Sequence, residues 1–96
     1  NEDEKKEHEE HTADYGEKET TELLEEAKRI IQELSIEQAR VPMLAIKDVL
    51  MPRWEDERNA ALERFVEEGG NAIDFHYEQP TREAFYQTFN EFKKRR

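Results

Sequence analysis

The chain has 96 residues, 25 acids against 15 lysines and arginines, a formal net charge of −10, and no cysteine. That length fits one domain at most, the missing thiols exclude disulfides, thiol catalysis and thiolate metal sites, and the charge opposes binding to nucleic acid or anionic lipid at long range. No apolar run approaches the roughly 20 residues that span a bilayer, no signal peptide is visible, and a cysteine-free chain fits the cytoplasm or another reducing compartment.

The charge is concentrated at one end. Residues 1–22 contain ten acids and three lysines, net −7, which leaves −3 for the other 74 residues. Up to residue 20 the only apolar side chains are Ala13 and Tyr15. So little apolar surface does not offset a chain entropy of about 1–2 kcal/mol per residue. The expected organisation is a disordered acidic tail over residues 1–20 and a helical domain over 21–96. The fold class read from the pattern is all-α, a small bundle of three to four helices.

The first helical stripe is Leu23, Leu24, Ala27, Ile30, Ile31 and Leu34, one face of a helix over about 21–34. Thr20 or Thr21 can cap its start, and Glu22 suits the first turn. Ser35 with Gln38 three residues on is a capping-box pattern, so a second helix follows almost without a loop. Pro42 then predicts either a kink near Val41 or a short turn at 36–40 followed by a helix from Pro42. Met43, Ile46, Val49 and Leu50 give that helix an inward face, and Pro52 is expected to close it.

Trp54 opens the third segment. Glu55, Asp56 and Glu57 are favoured in a first turn. Ala61, Leu62, Phe65 and Val66 form its stripe, and Gly69-Gly70 stops it. In residues 71–79, Ile73, Phe75 and Tyr77 alternate with Asp74 and His76. With no second strand to pair with, an extended connector that tucks Ile73 and Phe75 into the core is expected. The last helix starts near Pro80 and carries Phe85, Phe89 and Phe92 at helical spacing. Lys93-Lys94-Arg95-Arg96 suits the negative end of its macrodipole. All these boundaries agree with the glycines and prolines.

Few residues offer chemistry. His8 and His11, with Glu7, Glu10 and Asp14, have the spacing of a helical metal site, but a charge run gives such a site no second shell. It reads as a solvated charge run with two incidental histidines. His76 beside Asp74 has the ingredients of a general base, yet the only serine, Ser35, serves as a cap, and no threonine sits in a motif. Glu-x-x-His, calcium-loop and phosphate-loop patterns are all missing. No catalytic residue, metal ligand or cofactor is therefore assigned, and the chain reads as a non-enzyme.

Aromatic residues are in surplus. Trp54, Phe65, Phe75, Tyr77, Phe85, Tyr86, Phe89 and Phe92 are eight rings in a 74-residue domain. Some should stand at the surface, where tryptophan and tyrosine anchor partners. The candidate partner-binding residues are Trp54, Arg58, Tyr77 and Tyr86, with Arg53 able to serve the same patch. The plainer reading of the same rings is that Trp54 caps the hydrophobic core and Tyr86 lies half exposed. Residues 59–92, an apolar helix, a short connector and then Arg82-Glu83-Ala84-Phe85-Tyr86, resemble the last two helices of KIX-type activator-binding domains. That likeness covers about a third of the chain, rests on common residues and carries over no site.

The functional expectation is a non-catalytic interaction module that presents an aromatic surface or groove to another protein, a description that also fits an engineered binder. Pro42 and the irregular 71–79 stretch argue against an idealised design from scratch. The alternative is an acidic inhibitor or nucleic-acid mimic on a basic protein surface, which steep salt dependence would reveal.

Overall fold

The computed structural model describes residues 15–95. Among these residues three α-helices lie entire, α1 (Thr20–Glu33), α2 (Ile36–Glu67) and α3 (Pro80–Lys94), with a 3-10 turn at Ala72–Asp74 between the last two. The fold is the all-α bundle that the stripes require. No helix among the described residues is long and apolar enough to cross a membrane.

Helix α1 buries Leu23, Ala27 and Ile30 and rests Leu24, Ile31 and Leu34 against the same core. Its N-cap is Glu19, which makes no side-chain capping bond, so neither Thr20 nor Thr21 acts as the cap. The Ser35 capping box forms as expected. The Gln38 N–H donates to Ser35 Oγ and the Ser35 N–H donates to Gln38 Oε1, each at 3.2 Å.

The prolines behave differently from the expectation. Helix α2 runs unbroken through both Pro42 and Pro52 for 32 residues. The kink or restart at Pro42, the stop at Pro52 and the separate third helix at Trp54 are all replaced by one rod. At 1.5 Å per residue it is about 48 Å long, close to the molecule's longest dimension of 50 Å. The physical reason is cumulative burial. Ala39, Met43, Ala45, Ile46, Leu50 and Trp54 all enter the core from this helix. Each large side chain among them contributes about 1.5–3 kcal/mol, against about 3 kcal/mol lost at an interior proline.

The rod ends in a Schellman motif. Gly69 has φ +99°, its N–H donates to the Val66 carbonyl at 3.0 Å, and the Gly70 N–H donates to the Phe65 carbonyl at 2.9 Å. The connector has no strand, and Asn71 accepts the Ile73 N–H at 3.1 Å. Phe75 packs at a tilt on Phe65 with centroids 5.5 Å apart and stays outside the core cluster. Ile73 does not enter the core, being 87% exposed. The 3-10 turn holds its side chain outward.

Helix α3 supplies Phe85, Phe89 and Phe92, whose rings follow one another at 6.0 and 5.9 Å, and packs chiefly on α1. Residues 15–19 also belong to the packed structure. Tyr15 is a buried member of the core cluster, and Arg53 donates to the carbonyls of Lys18 and Gly16, both at 2.8 Å. Residues 15–20, assigned from the sequence to the tail, are thus part of the packed structure. The rest of the expected tail, with His8 and His11, lies outside the described residues.

Candidate functional site

Where the middle of α2 meets the start of α3, a cleft of about 250 Å³ is lined by Met51, Trp54, Glu55, Arg58, Arg82 and Tyr86. A broader groove of about 650 Å³ continues along the outer side of α3. Tyr77, Gln79, Asn90 and Lys94 are among its lining residues, and it shares Arg82 and Tyr86 with the cleft. Helical spacing explains the α2 wall, since Met51, Trp54, Glu55 and Arg58 fall three and four residues apart. The α3 wall repeats the device with Arg82 and Tyr86.

The four residues expected to bind a partner are therefore brought together, but not in the manner foreseen. Trp54 is only 2% exposed. It belongs to the core, packed between Phe85 at 5.7 Å and Tyr86 at 5.9 Å. Of the two readings of Trp54, the core cap holds and the surface anchor does not, because continuity of α2 past Pro52 turns this ring inward under α3. Tyr86 is half-buried, and its hydroxyl points to Met51 Sδ at 3.5 Å. Tyr77 is 38% exposed and stacks on Phe75 at 6.0 Å. Arg58 is exposed, with its guanidinium 5.9 Å from the Phe75 ring centre. Arg53 serves the N-terminal segment instead of this patch.

Sequence reasoning missed Arg82 and Gln79. Arg82 stands 5.7 Å over the Tyr86 ring. Its spacing four residues before a tyrosine on a predicted helix was a usable signal. Gln79 gave no signal. It is buried and donates through Nε2 to Glu57 at 2.5 Å. Lys47 and Lys93 lie 5.4 and 4.9 Å from the Phe89 ring centre. Cations from both helices thus sit over rings of α3 and the connector.

Two buried polar atoms of this region, Trp54 Nε1 and Gln79 Oε1, have no hydrogen-bond partner among the described residues. The cleft so combines an apolar floor, two guanidinium groups and one carboxylate. That set suits an apolar side chain flanked by a hydrogen-bond acceptor. Among the described residues no group of three or more His, Asp or Glu side chains could hold a metal ion, and His76 is exposed on the connector.

No family model matches this chain, and neither curated proteins nor solved structures show a significant match to it.

Proposed function

We propose that this chain is a non-catalytic interaction module that receives a segment of another protein in the cleft between α2 and α3. The observation that carries the reading is convergence. Arg58, Arg82 and Tyr86 line the cleft with Trp54, and Tyr77 of the connector lines the adjoining groove that shares Arg82 and Tyr86 with it. Rings held by a rigid core beneath cost little side-chain entropy on binding, and arginine beside tyrosine is a frequent hot-spot pairing.

The acidic-mimic reading draws less support from the geometry. Acids on the outer side of α1 are interleaved with cations. Glu26 is paired with Arg29 at 2.5 Å and with Lys18 at 3.9 Å, and Glu25 with Lys28 at 3.7 Å. Such a surface is of mixed sign.

The test is capture of partners from source-cell lysate by the full chain and by a Tyr77→Ala/Arg82→Glu variant, at low and physiological salt. Both substituted side chains are exposed, so circular dichroism should stay unchanged. The expected result is a protein retained by the parent at both salt levels and lost by the variant at least tenfold. Equal retention by both chains would end this reading. Retention only at low salt, indifferent to the two substitutions, would favour the acidic mimic.

A further inference from the structure

Helix α2 carries two stripes. The inner one, Ala39, Met43, Ile46, Leu50 and Trp54, is buried within the chain. The outer one is Val41, Leu44, Asp48, Met51, Glu55, Arg58, Leu62 and Phe65, spaced alternately three and four residues apart. Its first six members are exposed and its last two half-buried. Five of the eight, Val41, Leu44, Met51, Leu62 and Phe65, are apolar, and apolar side chains at three–four spacing are what a helix pair uses as its seam. In addition, α2 outruns its own bundle, for no residue from 55 to 67 is buried. On the distal half of the rod Val66 is exposed while Leu62 and Phe65 are half-buried, Phe65 against Phe75 of the connector.

We infer that the outer stripe of α2 is the interface of an antiparallel homodimer whose two-fold axis crosses the rod between Met51 and Glu55. In that register the stripe is complementary to itself. Val41 of one copy meets Phe65 of the other, Leu44 meets Leu62, Asp48 meets Arg58, and Met51 meets Glu55. Each contact occurs twice, as a two-fold requires. Apolar faces apolar in two layers, opposite charges face in a third, and the methionine lies against the glutamate stem in the central one. Neither Asp48 nor Arg58 has an ion-pair partner among the described residues.

Shifting the register by one heptad loses part of this agreement. One direction sets Val41 and Leu44 against Arg58 and Glu55. The other pairs Met51 with Leu62 and Glu55 with Arg58, but it sets Asp48 against Phe65 and leaves Leu44 opposite Gly69. The favoured register also answers what covers the distal arm, since each arm lies along the exposed proximal face of its partner. The interface takes Met51, Glu55 and Arg58, three of the six residues that line the cleft, so a second copy and a partner segment compete for that wall. Sedimentation needs no partner and the capture test alters only Tyr77 and Arg82, so failure of one reading is distinguishable from failure of the other.

The experiment is sedimentation equilibrium on the full chain over the micromolar range, with three sets of variants. The parent should show a reversible monomer–dimer equilibrium. Asp48→Arg should weaken dimerisation about tenfold, and Asp48→Arg combined with Arg58→Asp should restore it, an outcome that general destabilisation would not give. The chain lacks cysteine, so Leu44→Cys/Leu62→Cys supplies a clean cross-link. The two sites lie about 27 Å apart along one helix, out of reach of an internal disulfide, which needs Cα atoms within about 7 Å. The double variant should oxidise to a covalent dimer and Leu44→Cys alone should not. A parent that stays monomeric throughout, a charge swap that fails to restore association, or equal cross-linking by Leu44→Cys alone would each overturn the assignment.

Discussion

At the residue scale, Trp54 shows how a functional expectation and a packing role diverge. Its indole is enclosed by Phe85 and Tyr86, while its N–H is buried without an acceptor. A buried unmade hydrogen bond costs about 1–3 kcal/mol. Truncating a buried tryptophan to alanine costs about 3–5 kcal/mol. Trp54→Ala should therefore lose most of the fold's stability in urea titrations followed by circular dichroism. Trp54→Phe should change it by under about 2 kcal/mol, because the lost ring area is offset by deletion of the stranded donor. If Trp54→Ala were as stable as the parent, the ring would be a surface anchor after all. Gly70 is a second residue with a single physical requirement. A Cβ there would lie 2.5 Å from atoms of the Phe65 ring. Gly70→Ala should push that ring off Phe75 and cost about 1–3 kcal/mol, as overpacking does. An unchanged urea midpoint would show that the ring yields freely.

At the element scale, the sequence was most legible where a local signal acts alone. The stripe from Leu23 to Leu34, the Ser35–Gln38 box, the Gly69-Gly70 stop and the Pro80 start all appear where local chemistry puts them. The misreading came at Pro42 and Pro52, where a local penalty competes with packing that only the tertiary structure reveals. The same competition concealed the cleft, because its α2 wall exists only if the helix continues past Pro52. Ile73 was misplaced for a related reason. Alternation with Phe75 suggested a common side, but a 3-10 turn places the two side chains differently. The penalty at Pro52 is measurable. Pro52 is exposed, and its ring adds nothing to the core cluster. Pro52→Ala should restore a backbone donor and raise stability by about 2 kcal/mol, the helix-interior cost of proline less the entropy it removes from the unfolded chain. A fall in the urea midpoint would mean that the proline shapes α2 in a way the core requires.

At the scale of the whole molecule, α1 is held at both ends by arginines from other helices. Arg53 of α2 grips the Gly16 and Lys18 carbonyls before its start. Arg95, just past α3, donates to the Ile31 carbonyl and, at 2.7 Å, to the Leu34 carbonyl at its end. Helix α1 has no basic residue in its own last turn, so Arg95 supplies the cation that its dipole and orphan carbonyls favour. The sequence suggested that the C-terminal basic cluster serves α3 itself; Arg95 serves its neighbour. A 14-residue helix is marginal in isolation, and α1 buries only three side chains outright. Its docking therefore depends on these ties. Each charge-assisted hydrogen bond contributes about 1.5–3 kcal/mol, which solvent screening at these half-buried guanidinium groups reduces. Arg53→Gln and Arg95→Gln should each cost about 2 kcal/mol and speed amide exchange in α1 before α3. The two sites are separated by the length of α1, about 21 Å, and share no partner, so their costs should add to within about 0.5 kcal/mol. A double variant no less stable than either single one would show that α1 detaches as a unit once either end is released.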